Sequence, residues 1–163
     1  LSSNFLKVDF KLIFFFFFIF ILVYLMEVNG FILFMEELIL KMPQGGIFGL
    51  CIIVLLLSSL LSGLLDNAPV TVLFIPILEI IIVNEIDPNA RIPLIIALIL
   101  GVNLGGNFLP QGSAADMMTL ELSLKNHVRG LNYKVLTKIG GLFALLHIFL
   151  GIGYLAFIIY VVI

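Results

Sequence analysis

Hydrophobic and polar positions along this chain fall into long blocks, not a short alternation. Residues 9–27 form a Phe-rich run with Lys7 and Lys11 at its start and Glu27 at its end. Further apolar blocks follow at 47–65, 70–83, 92–109 and 137–163. A helix needs about 20 mostly apolar residues to cross a bilayer, so 9–27 predicts a first span and 137–163 a last one. Asn29 and Gly30 end the first run, and residues 31–42 place Glu36, Glu37 and Lys41 among apolar neighbours. That stretch is too short and too charged to cross, and predicts an amphipathic helix in the interface. A turn at Pro43-Gln44-Gly45-Gly46 separates it from the next block.

The middle of the chain does not read as simple spans. Residues 47–65 are long enough to cross alone, but 70–83 are only fourteen residues and include Pro76 and Glu79. One reading has two full spans joined at Asp66–Pro69. The other, which we prefer, has a re-entrant hairpin over 47–83 with Asp66-Asn67-Ala68-Pro69 at its tip, a recurring device of transporters. Residues 92–124 predict a broken helix: a first half to about Gly101, an unwound stretch through Pro110, and a second half from about Ser113 to Leu124. Its four glycines and one proline between Gly101 and Ser113 would ruin a continuous helix.

Composition fixes the class. The 163 residues are 63% hydrophobic and 11% charged, with a mean hydropathy of +1.31. Soluble domains carry about a quarter charged residues, so the expected fold is an all-α integral membrane protein in contact with lipid. The net charge of −2 says nothing about partners, and no basic, aromatic-rich patch points to nucleic acid. A single cysteine, Cys51, excludes a disulfide framework and a cysteine metal site. The chain begins at Leu1, and its first run lacks a small-residue cleavage site, so that run is not a signal peptide. From the abrupt start we expect a fragment, or one half of a larger protein. Lys125, Arg129, Lys134 and Lys138 cluster in one short loop, against Glu85, Asp87 and Arg91 in another. The positive loop is expected in the cytoplasm.

Candidate chemistry lies at the two interruptions. An intramembrane carboxylate costs ~3 kcal/mol on insertion scales and persists beside water, an ion or a partner. Asp66 has no nearby Lys or Arg in sequence, and Pro69 adds a backbone break. Ser58, Ser62 and Asp66 are four apart, and so would stack on one helix face, with Ser59 beside Ser62. For Ser58 and Ser59, close helix packing is an equal explanation. Asn67 and Thr71 flank the break, where unwound carbonyls and amide oxygens can coordinate Na⁺, although Thr71 can equally bond back to its own helix. In the second interruption Asn103 and Asn107 bracket Gly105-Gly106, and Gln111, Gly112, Ser113 and Asp116 surround or follow the turn at Pro110. A surface loop is the bland alternative there. Glu79 either terminates its half-helix or pairs across the bundle. His147 reads as packed or hydrogen-bonded, and His127 as an ordinary loop residue.

Three separated motifs occur in order: Val8-Asp9-Phe10 through Glu27, then Ser62-Gly63-Leu64-Leu65-Asp66-Asn67-Ala68-Pro69-Val70-Thr71, then Gly101 through Asn107 and Pro110 to Asp116. With the Gly130–Tyr133 stretch, they resemble the ion transporter superfamily, in its arsenite-efflux, sodium–proton antiporter and citrate-transporter-like branch. The resemblance implies two inverted repeats, of which this chain is the second, and a missing first repeat that completes the site. It implies a homodimer with an elevator motion, and ions or substrate held between hairpin tip and unwound loop at Asp66, Asn67, Thr71, Gly106, Asn107, Gly112 and Ser113. Asp116 stands where Asn is common, and Gln111 where a small or apolar residue is usual.

The expected function is secondary active transport in the cell membrane, coupled to Na⁺ or H⁺ and without a further cofactor. Asp66, Asn67 and Ser113 are the Na⁺ candidates. Burial raises a carboxylate pKa, which suits a proton carrier, and hard cations prefer oxygen ligands. Two acids and no arginine in the motifs lean toward sodium–proton antiport. Sodium-coupled di- or tricarboxylate symport and arsenite efflux are the alternatives. Asp66 and Asp116 could also form an intramembrane aspartyl dyad, but the Gly-x-Gly-Asp and Tyr-Asp contexts of such proteases are absent. A structural subunit would not need acids at helix breaks.

Overall fold

The computed structural model describes residues 10–42, 45–84, 90–128 and 130–162. Lys7, Val8 and Asp9, the turn residues Pro43 and Gln44, the acidic loop with Glu85 and Asp87, and Arg129 lie outside them. Among the described residues every regular element is helical, as an all-α membrane protein requires. Helix α1 (Phe10–Val28) and helix α2 (Phe31–Lys41) meet at a bend of 69°. Gly30 makes that bend with a left-handed φ of 73°, a conformation glycine adopts without a Cβ penalty. The Asn29 amide donates to the Leu25 carbonyl at 2.6 Å, finishing α1. Ile32, Met35 and Ile39 bury one stripe of α2, while Lys41 donates to Glu37 at 2.6 Å on the exposed side. By length and composition, α1 and α2 can also form one bent span.

Helix α3 (Ile47–Leu64) is long and apolar enough to cross a membrane alone, whereas helix α4 (Asn67–Asn84) is a shorter apolar helix. Between them the chain is extended at Leu65, with φ −111° and ψ 170°. Asp66 therefore leaves the helix, and the expected stack of Ser58, Ser62 and Asp66 on one face stops at Ser62. Pro69 is not the break either. It lies in the first turn of α4, where the missing N–H would have had no partner in any case.

Helix α5 (Arg91–Gly105) runs four residues past the expected end at Gly101. The reason is its neighbour. A Cβ on Gly101 would sit 2.6 Å from the Leu55 carbonyl and closer still to Ser58 Oγ, and one on Gly105 would collide with the backbone of Ser59. Both glycines serve backbone-to-backbone packing of α5 on α3, the most extensive helix contact among the described residues. A 3₁₀ turn (Pro110–Gly112), helix α6 (Ala114–Lys125) and helix α7 (Tyr133–Phe157) follow, the last extended by a π turn at Ile158–Val162. With that turn, α7 is, among the described residues, the second helix long and apolar enough to cross alone.

The distribution of side chains is that of a protein solvated by lipid. Ser58, Ser59 and Ser62 are fully or almost fully buried, while Leu56, Leu60 and Leu64 on the opposite face of α3 are exposed. Along α1, Ile19 is buried but Phe14, Phe17, Phe18 and Phe20 point outward. Water would not tolerate that apolar periphery; hydrocarbon does.

Candidate functional site

The site is built where α3 ends, α4 begins and the chain after α5 turns back. Asp66 occupies the N-cap of α4, and its Oδ1 accepts from the Asn67 N–H at 2.7 Å. A half-buried carboxylate thus faces the first N–H and the positive end of a helix. The Lys or Arg that its sequence neighbourhood lacks is replaced by a helix terminus, and an Asp three residues before a first-turn Pro is the signal that marks it. The Asn67 carbonyl accepts from the Thr71 hydroxyl at 2.8 Å, so Thr71 bonds back to its own helix.

Ser62 joins this turn to α5. Its Oγ lies 2.6 Å from the Val102 carbonyl and 2.6 Å from the side-chain amide of Asn67. Gly106 and Gly112 close the arrangement, because a Cβ on Gly106 would be 2.6 Å from Asn67 Oδ1 and one on Gly112 2.6 Å from the Ser62 carbonyl. Ser62, Asn67, Gly106 and Gly112 are therefore in contact across the two interruptions. Ser113 caps α6, its Oγ accepting from the Asp116 N–H at 3.4 Å. Asp116, half-buried in the first turn of α6, is the second carboxylate at a helix N-terminus.

Other candidates lie apart from this cluster. Asn103 is exposed and donates to the Ile99 carbonyl at 2.7 Å. Gln111 is exposed, and its Oε1 accepts from the Tyr133 hydroxyl at 2.5 Å. The Asn107 carbonyl faces α7, where a Cβ on Gly140 would approach it to 2.6 Å. Ser58 and Ser59 donate to the Val54 and Leu55 carbonyls of their own helix at 2.7 and 2.5 Å, so packing describes them fully. His147 is exposed, with its ring 6.1 Å from that of Phe143.

Open clefts are found beside the cluster and away from it. One of about 240 Å³ runs along Leu60, Gly63, Leu64, Phe108 and Leu109 and has no polar side chain. Farther along α4, Glu79 lines a gap of about 450 Å³ shared with Glu27, and another of about 390 Å³ shared with Arg91. Both gaps are otherwise walled mainly by aliphatic side chains. Tyr133, the hydroxyl that holds Gln111, was not foreseen, because the two lie in different elements.

A family model for citrate transporters matches residues 3–163. The chain belongs to the citrate transporter family. Membership makes it a secondary transporter of the citrate or ion type, integral to the membrane and multi-pass, and not an enzyme. It also agrees with the wider ion transporter superfamily. No curated protein and no solved structure matches the chain.

Proposed function

We propose that this chain forms part of a plasma-membrane transporter that moves citrate, or a similar di- or tricarboxylate, together with a coupling cation. The observation that supports it is the meeting of the hairpin tip and the unwound loop through Ser62, Asn67, Gly106 and Gly112, in a member of the citrate transporter family. Helix N-termini attract anions, but those of α4 and α6 also carry Asp66, just before α4, and Asp116, in the first turn of α6. A polycarboxylate entering beside two carboxylates is repelled unless a cation or proton binds with it. Obligate coupling follows from that electrostatic conflict. In this reading Asp66, Asn67 and Ser113 take the cation side and the glycine-bounded loop admits the anion. A first repeat, in a homodimer, would complete the cavity.

Sodium–proton exchange is the second reading, and what favours it is the pair of half-buried acids themselves. One experiment separates the two. The complete transporter is reconstituted in liposomes, and labelled citrate uptake is measured under Na⁺ and pH gradients for wild type and Asp66→Asn. Citrate uptake that follows an imposed cation gradient and fails in Asp66→Asn supports symport. Sodium-dependent proton movement with no citrate uptake supports exchange and overturns symport.

A further inference from the structure

Ser62 carries one hydroxyl proton but stands 2.6 Å from both the Val102 carbonyl and the Asn67 side-chain amide. Ser62 is fully buried, so water does not resolve the conflict. The Val102 carbonyl can only accept. An Asn amide can do either, because its oxygen and nitrogen exchange places on a half-turn. Only one arrangement puts a proton in both contacts: Ser62 donates to Val102, and the Asn67 NH₂ donates to Ser62 Oγ. The amide oxygen then faces away from Ser62.

The rest of Asn67 is already held. Its N–H donates to Asp66 Oδ1 and its carbonyl accepts from Thr71. The amide torsion is the one freedom left, and Ser62 removes it. We propose that Ser62 is a positioning residue that turns the Asn67 side-chain carbonyl oxygen outward, so that Asn67 offers the ligand that oxygen while one of its two amide hydrogens is held by Ser62. A carbonyl oxygen ligates a hard cation, whereas it cannot itself hydrogen-bond a carboxylate. Asn67 therefore belongs to the cation half of the site and Ser62 binds no ligand itself, which refines and rests on the transport reading above. Gly106 is part of the device, since any side chain there would push the amide aside.

The test uses the complete transporter in bilayers, ¹⁵N-labelled at asparagine, with the Asn67 side-chain signal assigned by its loss in Asn67→Asp. In wild type, one Asn67 side-chain N–H should resist exchange into D₂O at least about tenfold more than in Ser62→Ala. Equal exchange in the two would overturn the assignment. In parallel, citrate uptake is titrated with Na⁺ and with citrate. Ser62→Ala should raise the half-saturating Na⁺ concentration about tenfold, the scale of one hydrogen bond, leave the citrate KM within about twofold, and be restored by Ser62→Thr. A raised citrate KM with an unmoved Na⁺ response would put the amide nitrogen toward the substrate and overturn the proposal. If Ser62→Ala fails to fold, exchange at Asn67 in wild type, measured against an exposed asparagine, still decides. That measurement needs no transport, so a protein that moves no citrate sinks the functional reading alone.

Discussion

Asp66 does two things at one position, and substitution can separate them. As an N-cap, Asp is matched by Asn but not by Ala, whose loss of the cap costs about 1 kcal/mol. Asp66→Asn should therefore leave the thermal midpoint of the purified protein unchanged while abolishing coupled uptake, whereas Asp66→Ala should lower both. If Asp66→Asn transports normally, the carboxylate is a cap and nothing more. At Gly106 the expectation is the reverse of a stability defect. A methyl group there meets the Asn67 amide atom that faces Ser62 at 2.6 Å, a side-chain atom that can move, and the Gly112 carbonyl at 3.0 Å. Gly106→Ala should weaken the apparent affinity for the coupling cation more than it lowers the melting temperature. The sequence exposed Asp66 as an unusual acid, because charge inside an apolar block is visible without a fold. It did not expose the cap, which depends on where α3 stops. Nor could it show the partner of Ser62, forty residues onward at Val102.

Helix limits were legible where backbone chemistry is local. Asn29-Gly30 ends α1 and Pro110-Gln111-Gly112 forms a turn because glycine and proline restrict the chain wherever they stand. The same rule misled at Gly101, which sits inside α5 because α3 presses against it. A glycine chosen for contact looks, in sequence, like a glycine chosen for a bend. The two kinds respond differently to alanine. At Gly105 the added methyl meets the Ser59 backbone, which cannot step aside. Gly105→Ala should destabilise by at least the upper part of the ~1–3 kcal/mol range for overpacking. At Gly30 there is open space but a left-handed φ, so Gly30→Ala should cost only about 1 kcal/mol. Melting temperatures of the two variants in one detergent would show the order.

For the molecule as a whole, the outward-facing side chains decide what surrounds it. Phe17 is 56% exposed on α1, amid further exposed phenylalanines. In lipid, Phe17→Leu should be nearly silent, while Phe17→Lys near mid-span should carry the ~3 kcal/mol insertion penalty of a central charge. Membrane-inserted yield of the two variants measures this, and equal yields would place α1 outside the hydrocarbon. Composition alone made the lipid environment legible, since 63% hydrophobic residues cannot all be interior. The α3–α5 seam was not, because it depends on pairing between helices that α4 separates in the chain. That seam also bears on which histories the family can have followed. With Ser58 and Ser59 pressed onto Gly101 and Gly105, a larger residue on either strand of the seam is tolerated only after the other has shrunk. Glycine leaves nothing to shrink. Positions 101 and 105 should stand as fixed columns in a saturation library, while 58 and 59 accept only alanine-sized replacements, so that sequence drift in this protein is channelled onto the lipid-facing sides of the same two helices.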